Sequence, residues 1–145
     1  MALKVELKPH ERIIIGSCVI TNTDQRARLL IDGDNVPILR EKDILTAATA
    51  NTPAKRIYLC VQLMYLTKNA CPHHETYFAL MRDILQAAPS TWRYIESINN
   101  HILTGELYKA LKDAKKLIAY EEELLQNASR NAGVPDGSQG DRKSA

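Results

Sequence analysis

The stretch NTPAKRIYLCVQLMYLTK, residues 51–68, divides this chain into two unlike halves. Thr52 offers a side-chain oxygen to the first amides of a helix. Pro53 lacks an N–H and has φ already near the helical value, so it suits the first helical position. From Pro53 to about Lys68 the apolar residues Ile57, Leu59, Cys60, Val61, Leu63, Met64, Tyr65 and Leu66 occupy nearly every side. A helix without a polar face must be covered all round, so this segment is expected to be the central, buried helix. Asn69 to Pro72 ends it.

Downstream the chain stays helical. Tyr77, Phe78, Met81, Ile84, Leu85 and Ala88 recur at the spacing of a one-faced helix running from His74 to Ala88. Pro89 stops that helix, Ser90 is expected to cap the next, and Trp92, Ile95, Ile98 and Ile102 are expected to face inward. Gly105 marks a corner. A long helix from about Glu106 to Ala128 then carries a stripe of Leu107, Leu111, Ala114, Ile118 and Leu125, with Glu121 where another apolar residue belongs. Residues 129–145 include three glycines, three serines and one proline but no aromatic, and are expected to form a disordered tail.

Upstream the period changes from 3.6 to 2. Leu3, Val5 and Leu7 alternate with Lys4, Glu6 and Lys8, as in a strand with one buried face. Pro9-His10 breaks it. Arg12–Ile15, Cys18–Thr21 and Arg26–Ile31 read as further strands, separated by Gly16-Ser17 and by Thr23-Asp24-Gln25. Asp32-Gly33-Asp34-Asn35 is the strongest turn signal, because Gly and Asn tolerate positive φ. Val36–Leu39 follows as an edge strand, since Pro37 cannot donate to a ladder. The expected class is α+β. A small, barrel-like antiparallel meander occupies residues 1–44, a helical bundle with a long C-terminal helix packs on it over 45–128, and the tail follows over 129–145.

Composition narrows the function classes. At 145 residues, 45% hydrophobic and 25% charged, the chain can bury a core without disulfides or metal. Cys18, Cys60 and Cys71 are odd in number and widely spaced, which suits a reducing compartment. The first residues show no apolar signal segment and no stretch is long enough to span a membrane, so a cytoplasmic location is expected. The net charge of +2 points to no partner. Residues 1–44 balance seven basic against seven acidic side chains, so charge alone does not indicate nucleic acid.

No enzymatic constellation is present. Cys60, Cys71, His73 and His74 are zinc-ligand types, but their spacing matches no C-x2-C or H-x3-H unit. His74-Glu75 is followed by Phe78 where the second histidine of a zinc protease would stand. Gly16 and Gly33 are lone turn glycines, not a phosphate loop. The chain is therefore read as non-enzymatic, with no cofactor, no metal and no small-molecule substrate. Lys109, Lys112, Lys115 and Lys116 lie on the polar face of the last helix and read as a solvated ridge beside Glu121–Glu123 in preference to a phosphate-contacting one. In the β part, Arg26 and Arg28 share a face, with Arg12 on a nearby strand and Arg40 ending the last one. They either grip and stack on RNA or pair with Glu6, Glu11, Asp24 or Asp32.

The segments ALKVELKPHERIIIG (2–16), VITNTDQRARLLIDGDNVPILREKDILT (19–46) and NTPAKRIYLCVQLMYL (51–66) resemble the FlbT family of flagellar regulators. Length and order of elements agree over residues 1 to about 127. The resemblance implies a protein that associates with the 5′ untranslated region of flagellin mRNA and promotes its degradation or blocks its translation. It leaves the direction of regulation open.

Residues 3–42 also resemble the small CsrA-type translational regulators, through Leu3–Lys8, His10-Glu11, Ile15-Gly16 and Arg40-Glu41-Lys42. Carried over by position, that likeness places RNA contacts at Lys8 and Arg40. Leu7 and His10 depart from the pattern, standing where an arginine and the turn glycine are found. It also implies a strand-exchanged homodimer. Two functions follow as expectations. In one, the β part binds a flagellin leader through Lys8, Arg12, Arg26, Arg28 and Arg40. In the other, the last helix offers Leu107, Leu111, Ile118 and Leu125 to flagellin or another flagellar regulatory protein.

Overall fold

A computed structural model describes residues 2–133, with side chains to residue 130. Among these residues five short strands come first: β1 (Ala2–Leu7), β2 (Arg12–Ile15), β3 (Cys18–Thr21), β4 (Ala27–Asp32) and β5 (Ile38–Arg40). Helices α1 (Pro53–Thr67), α2 (His74–Ala87), α3 (Trp92–Leu103) and α4 (Leu107–Gly133) follow. The class is α+β, as the change of period predicts.

Strand pairing departs from a meander. Only β2 and β3 pair as sequence neighbours, turning at Gly16, whose φ is +63°. β1 instead pairs antiparallel with β4, and β2 with β5, giving a two-stranded ribbon beside a three-stranded sheet ordered β3-β2-β5. The cause lies in the apolar faces. Val5 and Leu7 of β1 and Leu29 and Ile31 of β4 must close on Ile13 of β2, and together with Ile15 and Ile38 they form a small core. A two-stranded ribbon is marginal in water by itself, so folding onto the second sheet is what sustains it. His10 accomplishes the reversal after β1 with φ +66°, donating its N–H to the Thr23 carbonyl.

β2 faces two ways. Ile13 enters the head's core, while Ile14 and Leu39 of β5 reach the larger core of the helices. In that core α1 packs against both α2 and α4, and α3 packs against α4. Ile57, Val61, Met64, Tyr77, Ile95, Ile98 and Leu117 are all buried there. Thr52 caps α1 by accepting from the Lys55 N–H at 3.2 Å. Glu121, the gap in the α4 stripe, accepts from the Ala54 N–H at 3.0 Å. A carboxylate at a helix N-terminus meets unpaired amides and the positive end of the helix dipole, so an acid can occupy a buried position there.

Polar tips on the apolar-looking α1 dock the β head. Tyr65 Oη accepts from the Ile38 N–H and donates to the Ile38 carbonyl. Gln62 makes the same two-way exchange with the Leu45 backbone, each bond 2.9 Å. Tyr58 donates to the Asp43 carbonyl. Residues 58, 62 and 65 lie one turn apart on one face, so α1 pairs backbone groups of β5 and the linker that no strand satisfies.

Three further expectations fail. Trp92, the first residue of α3, is 53% exposed and does not face inward. Ser90 does not cap α3; Pro89–Thr91 forms a 3-10 turn, and the Ser90 hydroxyl accepts from Tyr120. α4 continues through Ser129 to Gly133, five residues into the segment read as tail, because an established helix extends at little cost until a poor helix former arrives. The rest of that segment, 134–145, lies outside the described residues.

Candidate nucleic-acid interface

Antiparallel register sets the outer face of the β1–β4 ribbon. Glu6 stands opposite Arg28, and Lys4 opposite Leu30. Because Val5, Leu7, Leu29 and Ile31 point into the core, these four point outward, where they line one shallow depression. Arg26 flanks β4, and Lys8 continues the alternation of Lys4 and Glu6 one step past β1.

Glu6 is shared. Its carboxylate lies 3.1 Å from Arg26 Nη1 and 3.8 Å from Arg28 Nε. One carboxylate cannot neutralise two guanidinium groups, and the Arg28 side chain is 90% exposed. Lys4 and Lys8 have no carboxylate within 4 Å among the described residues. Against Lys4, Arg26 and Arg28 the face holds Glu6 and, at the far end of β4, Asp32. It therefore keeps a positive excess that the whole-chain charge conceals. Ion pairs this exposed are weak, so both arginines can leave Glu6 at little cost.

Arg40 is structural, and Arg12 meets a different carboxylate. Glu41 takes the Arg12 backbone N–H at 2.8 Å and lies 3.6 Å from its guanidinium. Arg40 Nη2 donates to the Glu6 carbonyl at 2.9 Å and lies 3.6 Å from Glu11, tying the three-stranded sheet to the ribbon. Glu11 also accepts the Lys8 N–H; that bond, with Arg40 beside it, holds its carboxyl below the ordinary value of 4.5 despite some desolvation. Of the five basic residues read from sequence, the fold brings Arg26 and Arg28 together at Glu6, leaves Lys8 just past β1 beside Glu11, ties Arg40 to the ribbon backbone and pairs Arg12 with Glu41. Lys4 joins the face unforeseen, though its alternation with Glu6 was the available signal.

The expected partner stripe is largely core. Leu111 is buried, and Leu107 and Ile118 are partly buried against the same cluster, so little of these three is left to offer outward; Leu125 is 55% exposed. The lysine ridge is mostly engaged: Lys109 pairs with Glu106 and Lys115 with Asp43, both at 2.6 Å, and Lys112 lies over the Tyr108 ring. Cys60 is buried, donates to the His73 carbonyl, and has its thiol pushed up to about 11 by desolvation. Cys18 and Cys71 are exposed, and no cluster of three or more His, Cys, Asp or Glu side chains suited to a metal occurs among the described residues. No helix among them is long and apolar enough to cross a membrane.

Comparison with known proteins agrees with the resemblance read from the segments. Residues 3–125 match the family model described as "Flagellar protein FlbT". The chain is 73% identical over 124 residues to the "Probable flagellum biosynthesis repressor protein FlbT 1" of Bradyrhizobium diazoefficiens, covering 86% of this chain and 85% of that one. It is 58% identical over 125 residues to the "Probable flagellum biosynthesis repressor protein FlbT" of Rhodopseudomonas palustris, covering 86% and 98%. Identity to the "Flagellum biosynthesis repressor protein FlbT" of Caulobacter vibrioides is 34% over 140 residues, covering 94% and 97%. No solved structure matches this chain.

Proposed function

The chain belongs to the FlbT family of flagellar proteins, and on that premise we propose that it is a cytoplasmic, non-catalytic regulator of flagellin synthesis. It acts as a repressor, the role its relatives are named for, by associating with the 5′ untranslated region of flagellin mRNA. Binding there lowers translation by blocking ribosome access, or shortens the life of the message by opening it to nucleases. The contact surface is the outer face of β1 and β4, and the observation that carries this assignment is the single Glu6 carboxylate set against Arg26 and Arg28. Lysines and arginines on such a face release counterions from an RNA backbone, and an exposed guanidinium can stack on an unpaired base.

Affinity for a flagellin leader, measured at several salt concentrations, tests the assignment. Lys4→Ala and Arg28→Ala each remove one phosphate contact and lower the salt slope by about 0.7. A parent chain that binds the leader no more tightly than an unrelated RNA of equal length contradicts it.

One observation favours a second reading, in which the target is a flagellar protein. Residues 125–130 of α4 are all exposed, Leu125 among them. Capture of flagellin by the parent chain but not by Leu125→Asp would support that reading; equal capture by both would remove it.

A further inference from the structure

Outside the β1–β4 face, the described residues hold a second concavity of a different character. Val36 and Pro37 of the turn after β4, Tyr65 and Lys68 at the end of α1, and Tyr108 and Lys109 in the first turn of α4 enclose an open groove of about 570 Å³. Clefts that hold small organic ligands run from about 300 to 1,000 Å³. Its aromatic walls are set differently. Tyr65 is anchored through its hydroxyl to both backbone groups of Ile38, so its ring cannot swing away. Tyr108 lies 5.6 Å from it, centroid to centroid, tilted by 43°, and is 49% exposed.

Charge in the groove has one prevailing sign. Lys68 closes α1 in the left-handed conformation, φ +58°, and has no carboxylate within 4 Å among the described residues. Lys112 sits with its Nζ 5.2 Å from the Tyr108 centroid, on the side of a neighbouring smaller groove. Glu106 is the one acidic residue lining the larger groove, and it is taken by Lys109 and by the Thr104 hydroxyl. A site with an exposed tyrosine ring, a proline ring and one surplus lysine, and no free carboxylate to hold a cation, fits a planar ring attached to an anion. Single-stranded nucleic acid has that chemistry: bases stack on aromatic rings while lysines meet the phosphates. The turn that forms one wall follows β4 directly, so this site and the ribbon face lie on one continuous stretch of chain.

We propose that this groove takes an unpaired nucleotide of the bound messenger, with Tyr108 stacking on the base and Lys68 meeting the phosphate. The inference rests on the RNA-binding reading above but on different residues, so the two can fail separately. Stacking is tolerant of base identity, so the groove adds affinity for single-stranded segments without dictating their sequence.

The test uses the full chain and a flagellin leader transcribed in vitro. Tyr108→Leu is expected to weaken binding about five-fold or more with an unchanged salt slope, since no charge is removed. Tyr108→Phe keeps the ring and is expected to restore affinity to within about two-fold of the parent, which a merely structural hydroxyl would not allow. Lys68→Ala is expected to weaken binding and to lower the slope. A Tyr108→Leu chain that binds like the parent, while Lys4→Ala and Arg28→Ala weaken binding, overturns the groove and leaves the ribbon face standing. Weakening by Tyr108→Leu alone supports the groove and overturns the ribbon face. A parent chain without preference for the leader overturns both.

Discussion

The helical body and the β head are stabilised to very different degrees. Fifteen buried residues form the body's cluster, drawn from all four helices and from Leu39 of β5. The head's own cluster holds three, Val5, Leu7 and Ile13, with four partly buried neighbours. Apolar burial is the main favourable contribution to folding, so the body can stand largely on its packing and the head cannot. The head depends instead on being docked, through Ile14 and Leu39 in the body's core and through the hydrogen bonds that Tyr58, Gln62 and Tyr65 extend to its backbone. The outer side of the ribbon is released from packing duties by this arrangement. Lys4, Arg26 and Arg28 are there because nothing requires an apolar residue in their place.

The largest expected effect contrasts the two regions directly. Ile95→Ala, in the body, should cost about 2–5 kcal/mol in urea unfolding, whereas Leu30→Ala, on the ribbon's outer face, should stay within about 0.5 kcal/mol. A cost for Leu30→Ala approaching that of Ile95→Ala would mean that the outer face is covered in the protein as it exists in solution, and the contrast would collapse. A smaller effect sharpens the docking claim. Gln62→Leu leaves the N–H and carbonyl of Leu45 unpaired and should cost about 1–3 kcal/mol, with faster hydrogen exchange in β5 and β2 than in α3. Uniform acceleration across the chain would show that head and body open as one unit.

The smallest effect concerns the head alone. The folded state depresses the carboxyl of Glu11, so its contribution is present above the ordinary value of 4.5 and is lost as pH falls below it. Glu11→Gln should therefore unfold with less dependence on pH below about 4.5 than the parent. An identical acid limb in the two proteins would remove Glu11 from the joint between ribbon and sheet.

Much of this contrast was legible in the sequence, and its limits have physical causes. Alternation located the strands, and Thr52-Pro53 located α1, because these signals are local. The pairing of β1 with β4 depends on contacts about 25 residues apart, which no local pattern encodes, so the shared Glu6 could not be read even though Arg26 and Arg28 were placed on one face. Glu121 was visible as an interruption in an apolar stripe, but its reason, the Ala54 N–H, comes from another helix. Tyr65 counted as apolar in the pattern and Tyr58 was not singled out in it, which concealed the hydroxyls that dock the head. Leu107, Leu111 and Ile118 show the opposite hazard: a stripe suited to a partner is more often satisfied inside its own domain.

The central claim is that the messenger is met at the weakly packed head and the groove beside it, not at the far end of α4. Amide chemical shifts of the full chain, followed by NMR while a flagellin leader is added, test this most directly. The account predicts that the shifts change at Lys4–Lys8, at Arg26–Leu30 and around Tyr108, while α2 and the end of α4 beyond Leu125 stay unchanged. Changes confined to that end of α4, with the ribbon silent, would contradict it.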